Sequence, residues 1–529
     1  MTVDSASANR QIARAAGTVM AALILGNLIG LIRQILVAGV FGTRADMEAF
    51  NAANRVSETL FYLIAGGALA SAFIPVFTGL LTQDRRRGAW KLASAILNWI
   101  FVILILAAIL AAVFAPWIVH CILAPGFASD PAKEALTVSL LRLMLPSAVF
   151  FGLSGLVMGI LNSNQKFFIP ALAPSMYQIG MILGVLVLAP HLGIFGLAWG
   201  VVIGSILYFG LQIPSLLRLK PNYFPTFGLS NPDIREVVRL FGPRLLGVAV
   251  VQLNFWVNVR IASQQPEGSI TGVVFAFALM LMPQAAIAQS IAIAAMPTFS
   301  AQVALGKLNE MRSSLAASLR GVLLLSIPAA LGLILLRDPL VTLLYQRGEF
   351  NERSTELVAW ALLWFAVGLV SHGVVEILSR AYYALHDTKT PVFIGILAMS
   401  LNVVFSYAFS ALFTRLGWMP HGGLALANSI ATTLEMAGLL ILMRRKLKGL
   451  EGERIVKGAT QAVIAGVVMS LALWVWLGVT SDGPVWLIAL GGIAIGALVY
   501  GIVVIVIGVG EARGLLKTLH QRAVRYLDR

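Results

Sequence analysis

The segment SRAYYALHDTKTPVF, residues 379–393, is a polar turn between two stretches that are each apolar enough to cross a bilayer. Long apolar runs separated by short polar breaks continue over almost the whole chain. Hydrophobic residues make up 59% of the 529 residues and charged residues 12%, whereas a soluble domain carries about 25% charged residues. Because a membrane-spanning helix needs about 20 apolar residues, the sequence predicts an all-α, polytopic membrane protein.

Hydropathy predicts about 14 transmembrane helices. They are expected near residues 12–40, 47–80, 90–118, 135–160, 167–189, 193–216, 236–259, 269–302, 314–336, 354–385, 390–413, 422–443, 456–479 and 485–509. The first run is too long for a cleaved signal peptide and is expected to remain as the first span. A single cysteine, Cys121, excludes an internal disulfide and is interpreted as a small apolar filler.

Lysine and arginine are unequally distributed between alternate connections, with 26 in one set and 7 in the other. The positive-inside rule places the richer set in the cytoplasm, including loops 81–91, 217–235 and 444–457 and both termini. Topology therefore accounts for the net charge of +15. No nucleic-acid partner is predicted, because that role requires basic residues clustered on a folded surface.

An internal duplication emerges when the chain is shifted by 222 residues. SAFIPVF (71–77) then aligns with IAAMPTF (293–299), and Gly126 aligns with Gly348. The predicted domains are two six-helix lobes followed by two additional transmembrane helices and a cytoplasmic tail, at 1–225, 226–446 and 447–529. Since six is even, the two lobes are parallel repeats, and such repeats favour a transporter that works by alternating access.

Ionisable side chains inside membrane spans are costly and usually face a cavity or a partner. Five arginines fall in predicted spans, namely Arg33, Arg55, Arg142, Arg244 and Arg320. Arg244 and Arg320 lie near the predicted cytoplasmic end, where a long side chain can reach the lipid headgroups.

Span 2 carries a series of polar residues at helical spacing, Glu48, Asn51, Asn54, Arg55 and Glu58. Their spacings of three, four and seven place most of them on one helical face. One interpretation is an arginine–glutamate lock between spans 1 and 2. The other is that this face lines a cavity of the first lobe, where arginines bind an anionic headgroup through paired hydrogen bonds.

His372 and Glu376 on span 10 form an i, i+4 pair that could couple transport to a proton or another ion. The alternative is an interhelical hydrogen-bond anchor. Glu435 on span 12 is an isolated candidate of the same kind. The sequence contains no phosphate-binding loop, zinc-spaced cluster or nucleophile elbow, so it predicts neither an enzyme nor a cofactor.

Two motifs carry a family resemblance. RAYYALHDTKTPV (380–392) resembles the Arg-x-Phe-Tyr-Ala-x-x-Asp-Thr-x-Thr-Pro-Val signature of the MurJ/MviN lipid II flippase family, and QRGEFNERST (346–355) resembles its Gln-Arg-Gly-x-Phe loop. The 14-span layout is similar throughout.

This resemblance implies a fold of the multidrug/oligosaccharidyl-lipid/polysaccharide exporter superfamily, with two C-terminal helices that form a hydrophobic groove. It also implies movement of undecaprenyl-diphosphate-linked peptidoglycan precursor from the inner to the outer leaflet of the bacterial cytoplasmic membrane. The implied partners are this lipid-linked oligosaccharide precursor, membrane lipids and cell-wall synthesis proteins.

The chain departs from the family pattern at several charged positions. The first of two cavity arginines is Asn27 and the second is Arg33, while the family lysine and aspartate of span 2 correspond to Arg55 and Glu48. Other family charges are replaced by Gln34, Phe61, Tyr62, Gly66 and Ala278. The candidate substrate-binding residues are Arg33, Arg55, Asn27, Glu48, Asn51, Glu58 and Arg142.

Two other functions are consistent with the sequence. The first is an ion-coupled exporter of another amphiphile or solute, driven through Glu48, Glu58 or Glu376. The second is a non-transporting paralogue that binds the precursor or scaffolds wall-synthesis proteins.

Overall fold

A computed structural model describes residues 5–64, 68–228 and 231–509, and every regular element in these ranges is helical. The helices form two compact units. The first contains residues up to Ile270 together with Arg347–Phe350, and the second contains Thr271–Gln346 and the described residues from Asn351 onward. The lobe boundaries predicted from the duplication stay a prediction.

Among its described residues, the first unit has ten α-helices. They are α1 (Ser5–Phe41), α2 (Ala45–Ile64), α3 (Ala68–Thr82), α4 (Arg86–Val113), α5 (Ala115–Trp117), α6 (Pro131–Ser163), α7 (Phe168–Leu183), α8 (Ala189–Leu192), α9 (Ile194–Leu217) and α10 (Pro232–Ser263). A buried apolar core joins α3, α4, α6 and α10 through residues such as Phe77, Leu92, Leu156 and Val237. Burial of such side chains is the main favourable term that fixes these helices against one another.

The remaining helices belong to the second unit, apart from the first two residues of α11. They are α11 (Ser269–Gln284), α12 (Ser290–Ala304), α13 (Leu308–Tyr345), α14 (Glu352–Ala384), α15 (Lys389–Arg415), α16 (His421–Lys446), α17 (Gly452–Val479) and α18 (Gly492–Ile507). One core cluster lies among α12, α13, α14 and α16, and a second lies among α13, α17 and α18. A short π-helical segment, Ala285–Gln289, joins α11 to α12.

Twelve helices in the described residues are long and apolar enough to cross a membrane, or thirteen if the bent helix α10 counts as one span. The predicted total of about 14 agrees approximately with this count. The predicted second span, 47–80, corresponds to α2 and α3. Four charged residues make α2 too polar to qualify by composition, and α3 has only 15 residues.

Equivalent positions of the sequence repeat meet within the first unit. The backbone N–H of Ala45 donates to the Glu267 carboxylate at 3.0 Å, and the backbone N–H of Ile270 donates to the Glu48 carboxylate at 2.9 Å. Both pairs are separated by 222 residues, which is the shift that aligns the repeats. An N–H group in the first turn of a helix has no acceptor within that helix. Glu267 accepts from such a group at the start of α2, and Glu48 accepts from one at the start of α11, so each acid caps a helix of the other repeat.

Gly126 and Gly348, which the repeat alignment pairs, occupy similar positions in the first unit. A Cβ atom on Gly126 would lie 1.9 Å from the Ser263 carbonyl oxygen, and one on Gly348 would lie 2.2 Å from the Gly39 carbonyl oxygen. Each loop thus packs against the last turns of a helix, α10 in one case and α1 in the other. Only glycine allows this close backbone approach.

Some predicted features lie outside the described residues. They are Gly66, the C-terminal segment 510–529, the first four residues and the side chain of Arg244. Cys121 is described, and its side chain is exposed. The interpretation of Cys121 as an apolar filler is therefore wrong, because the side chain fills no internal space. Cys121 lies in the π-helical segment Ile118–Leu123, which follows α5.

Candidate functional site

Arg55 is the centre of a polar cluster on α2. Its guanidinium forms a 2.7 Å ion pair with Glu58, one turn along the same helix. The guanidinium carbon also lies 4.9 Å from the centre of the Phe255 ring on α10, where a cation–π attraction adds to the ion pair. The Arg55 side chain is 15% exposed and that of Glu58 is 33% exposed, so the pair remains accessible from one side.

Asn54 and Tyr177 extend this cluster towards α7. The Asn54 amide donates to the Glu58 carboxylate at 2.8 Å. The Tyr177 hydroxyl lies beside the Asn54 amide and within electrostatic range of Glu58 and Arg33. One carboxylate is thus shared by an arginine and an amide.

Arg33 approaches the cluster from α1. Its Nη1 atom lies 3.4 Å from the Met181 sulfur on α7, which is a weak acceptor compared with a carboxylate. Its Nε atom is buried and has no hydrogen-bond partner among the described residues. Arg33 therefore carries a charge that its described neighbours do not neutralise directly.

Several other buried polar atoms around α1, α2 and α7 share this property. Within the described part of the chain, no hydrogen-bond partner is present for Arg55 Nε, Asn54 Oδ1, Ser57 Oγ, Ser175 Oγ and Gln178 Oε1. Buried polar atoms in native proteins are nearly always hydrogen-bonded, and the exceptions call for an explanation such as a bound ligand or water. Their concentration here marks the cluster as the candidate site.

The ion pair in the cluster forms within α2 and not between spans 1 and 2. The predicted arginine–glutamate lock would require Arg33 to bond with Glu48 or Glu58. Instead, Arg33 contacts Met181, while Glu58 accepts hydrogen bonds from Asn54 and Arg55. The i, i+3 spacing explains this, because two residues one turn apart on a helix reach each other without any adjustment of neighbouring helices.

Glu48 lies in a separate, buried environment. It is 2% exposed, accepts from Lys133 Nζ at 2.5 Å and accepts from the Ile270 backbone N–H. Removing one partner of a buried ion pair typically costs about 3–5 kcal/mol, because the remaining charge is left without compensation. These contacts support a structural role for Glu48, and its predicted contact with substrate stays untested.

The remaining candidates of the first unit are dispersed. Arg142 on α6 is exposed, and its Nε atom donates to the Ala112 carbonyl near the end of α4 at 3.0 Å. This contact compensates the negative end of the α4 dipole. Asn27 on α1 is exposed and Asn51 on α2 is half-buried. The structure thus groups Arg33, Arg55 and Glu58, and no described contact joins Arg142 to them.

Aromatic packing occupies the positions where the resemblance leads us to expect paired arginines. The Phe61 ring lies 4.9 Å from Phe151 and 5.1 Å from Tyr62. Phe151 in turn contacts Tyr177 and Tyr208 at 5.2 and 5.6 Å. This stretch of α2 is consequently apolar, and positive charge on the helix is confined to Arg55.

The two coupling candidates on α14 contact different partners. A ring nitrogen of His372 lies 3.0 Å from the Asn428 amide oxygen on α16. Glu376 accepts a 2.8 Å hydrogen bond from Arg380, one turn along α14. The contact between His372 and Asn428 joins α14 to α16, as expected of an interhelical hydrogen-bond anchor. Ion coupling through His372 and Glu376 stays a prediction. The other candidate, Glu435, is half-buried on α16.

The signature segment forms the turn between α14 and α15. His386 has a φ of +57°, and Asp387 then accepts from the Thr390 backbone N–H at 3.1 Å and from Lys446 at 2.5 Å. Tyr382, in the last turns of α14, donates to the Leu439 carbonyl at 3.0 Å. These contacts attach the turn to α16, so the segment organises the fold and lies outside the polar cluster.

Sequence reasoning missed two residues with clear contacts, Tyr177 in the cluster and Lys133 beside Glu48. Tyr177 belongs to SMYQ (175–178), a short polar interruption in an apolar helix, which could have been recognised as a membrane-embedded polar face. Lys133 stands in a connection between spans, where a basic residue is usually interpreted only as a topology signal.

This fold and its membrane-embedded polar cluster define a class of polytopic membrane protein. A solved structure described as the inward-facing conformation of a multidrug resistance MATE family transporter of the MOP superfamily matches 83% of this chain and 99% of its own, with a TM-score of 0.69. At 15% identity this likeness shows the fold alone.

The chain belongs to the lipid II flippase MurJ family, whose model matches residues 37–490. A lipid II flippase MurJ of Burkholderia cenocepacia is 30% identical, over 82% of this chain and 84% of the relative. A probable lipid II flippase MurJ of Bdellovibrio bacteriovorus is 29% identical, over 88% of each. A solved structure of lipid II flippase MurJ in an inward closed conformation has a TM-score of 0.79 at 28% identity and covers 92% of this chain and 97% of its own. The protein is therefore a multi-pass protein of the bacterial inner membrane.

Proposed function

We propose that this protein moves a lipid II-like precursor, a polyprenyl diphosphate that carries a cell-wall headgroup, from the inner to the outer leaflet. The family match and the relatives named as lipid II flippases support this function. The observation that carries the assignment of a site is the polar cluster of α1, α2 and α7, in which Arg55 is paired with Glu58 while Arg33 contacts only the Met181 sulfur among its described hydrogen-bond partners.

The charge of this cluster suits a diphosphate. Arg33 and Arg55 supply two positive charges and Glu58 one negative charge. At an effective dielectric constant of about 20, two unit charges about 4 Å apart interact by about 4 kcal/mol. Attraction by both arginines therefore exceeds repulsion by the single acid, and the free Nε atoms can donate the directed hydrogen bonds that phosphate oxygens accept.

The headgroup enters from the side of the basic loops. Loops 81–91, 217–235 and 444–457 carry the excess of lysine and arginine, which supports a cytoplasmic location for them and for both termini. Lipid precursors assembled in the cytoplasm then reach the protein from the inner leaflet. Movement by alternating access follows the general behaviour of transporters built from repeats.

Complementation tests the proposed function. A bacterial strain depleted of its only lipid II flippase should grow when it expresses this chain, and purified protein in vesicles should move labelled lipid II between leaflets. Absence of rescue despite normal membrane expression, together with absence of lipid II movement in vesicles, would exclude the proposed substrate.

Substitution of the two arginines tests the proposed site. Arg33→Ala and Arg55→Ala should each reduce lipid II movement by about tenfold or more, because each removes a charge-assisted contact worth about 1.5–3 kcal/mol. Lysine at either position should retain part of the rate, since the charge remains while the planar fork is lost.

Arg444→Ala is the matched control, because Arg444 is exposed in the last turn of α16. It should leave the rate unchanged. If both cluster variants are folded and move lipid II at the wild-type rate, diphosphate recognition by Arg33 and Arg55 is disproved while the transport function itself stands.

A further inference from the structure

The first unit contains a second site that the polar cluster does not include. A cavity of about 740 Å³ lies among α2, α3, α4 and α10. Its walls are almost entirely apolar and include Leu60, Ile103, Ala107, Phe241 and Leu245. None of the cluster residues Arg33, Asn54, Arg55, Glu58 or Tyr177 lines it.

Two arginines, Arg235 and Arg239, are the charged residues that line this cavity. They stand one turn apart near the start of α10, so their side chains share a helical face. Both are exposed, and neither forms an ion pair within the described residues. Glu236 stands between them in sequence but does not line the cavity. The lining therefore combines apolar walls with two uncompensated cations.

The dimensions suit one lipid chain. The cavity follows α10 from Arg235 to Leu245, and ten residues of helix span about 15 Å. That length is about half of the ~30 Å hydrocarbon core, the depth that belongs to one leaflet. Both arginines stand at one end of this path, where their aliphatic stems line the wall while the guanidinium groups can reach a headgroup.

We propose that this cavity binds one hydrocarbon chain of an anionic phospholipid, whose phosphate is held by Arg235 and Arg239. Guanidinium groups recognise phosphate through directed, charge-assisted hydrogen bonds. A zwitterionic lipid carries the same chains but a compensating positive charge, so it binds more weakly. The site is separate from the proposed substrate cluster.

The test measures lipid binding and not transport. Purified full-length protein in detergent is titrated with phosphatidylglycerol or with phosphatidylcholine of identical chains, and bound lipid is counted by native mass spectrometry. The wild type should prefer phosphatidylglycerol. The double variant Arg235→Gln/Arg239→Gln should bind it about 30-fold more weakly, since each of the two basic residues contributes about 1 kcal/mol to attraction of an anionic lipid.

Ala107 on α4 and Val238 on α10 both line the cavity, so two cavity-filling variants, Ala107→Trp and Val238→Trp, test the apolar part independently. Each should displace the chain and lower the number of bound lipids while both arginines remain. The matched control Arg444→Gln/Arg445→Gln neutralises two exposed arginines of α16 and should bind like the wild type. Because the two filling positions stand on different helices, a folding defect in one leaves the other informative.

Any of four results would overturn the proposal. The first three are equal affinity for the two lipids, phosphatidylglycerol binding that both tryptophan variants leave unchanged, and equal losses in the Arg235/Arg239 and Arg444/Arg445 variants. The fourth comes from inorganic pyrophosphate, which serves as a chain-free probe. If it competes with phosphatidylglycerol at micromolar concentration, the arginines form a free-anion site and the lipid assignment is wrong.

Discussion

At the scale of single residues, Asp387 illustrates how one acid organises a turn. Its carboxylate accepts hydrogen bonds from the backbone N–H and the hydroxyl of Thr390 and from Lys446. Partial burial alone would raise the pKa of Asp387, but the hydrogen bonds from Lys446 and Thr390 outweigh it and lower this pKa to about 2. The charged form is therefore the form that the fold stabilises.

This lowered pKa predicts a pH-dependent stability. A group whose pKa is depressed by folding stabilises the native state above its unfolded-state pKa of about 4, and this contribution disappears as the pH falls through the folded value. Asp387→Asn should thus lower the unfolding temperature at pH 6, and the difference from wild type should shrink between pH 4 and pH 2. Thermal unfolding of purified protein across this range is the measurement.

Asp482→Asn provides the comparison, because Asp482 is exposed. It should unfold like the wild type at every pH. A difference between Asp387→Asn and wild type that persists undiminished at pH 2 would show that the carboxylate acts through its shape and not through its charge.

The polar cluster could be predicted in part from single residues. Arg33, Arg55 and Glu58 were identified because charged side chains are conspicuous in apolar spans. Sequence spacing also predicted that Arg55 and Glu58 share a face. The partners of Arg33 could not be predicted, because its contact with Met181 depends on how α1 packs against α7. Glu48 looked equivalent to Glu58 in the pattern, and only the tertiary contacts with Lys133 and Ile270 distinguish it.

At the scale of helices, α7 and α9 meet along a seam of small residues. A Cβ atom on Gly180 would lie 2.1 Å from the Gly204 Cα atom and 2.9 Å from the Gly200 carbonyl oxygen. Such seams are typical of helix pairs in membranes, where close backbone packing replaces the hydrophobic effect as the source of association.

Gly180→Ala should therefore destabilise the protein. Its new methyl group meets backbone atoms that cannot rotate away, and overpacking of this kind costs about 1–3 kcal/mol or more. Thermal unfolding in detergent should show a drop of several degrees. Gly210→Ala on α9 is the control, because nothing lies within 4 Å of its added Cβ atom. Equal stability of the two variants would contradict the seam.

Helix existence followed from hydropathy, but helix interruptions did not. The predicted spans 193–216 and 354–385 match α9 (Ile194–Leu217) and α14 (Glu352–Ala384) within two residues. The predicted span 269–302, in contrast, is divided into α11 and α12 by the π-helical segment Ala285–Gln289. Apolar composition predicts that a segment is buried in the membrane. Because α11 and α12 are both apolar, hydropathy does not predict the break between them.

At the scale of the whole molecule, the uneven distribution of basic loops predicts one orientation in the membrane. In a Cys121→Ser background, single cysteines at exposed Gln83, Asn222 and Glu453 should resist an impermeant maleimide added to intact spheroplasts. A cysteine at exposed Ala128, in the connection between predicted spans 3 and 4, should react. All four should react after the membrane is permeabilised. Labelling of any of the first three from outside would overturn the topology.

Reciprocal capping between Ala45 and Glu267 and between Ile270 and Glu48 brings equivalent positions of two repeats together. Two separate, identical copies joined in this way would form an isologous homodimer, in which every surface occurs twice. Two repeats within one chain can differ in sequence, and here they differ at positions that the shift of 222 residues aligns. Positions that are polar in the first copy, Asn51, Asn54, Arg55 and Glu58, correspond after a shift of 222 to Val273, Ala276, Phe277 and Met280. At these four positions, therefore, only the first copy offers guanidinium and carboxylate groups, and an anionic ligand that binds there has a single preferred orientation.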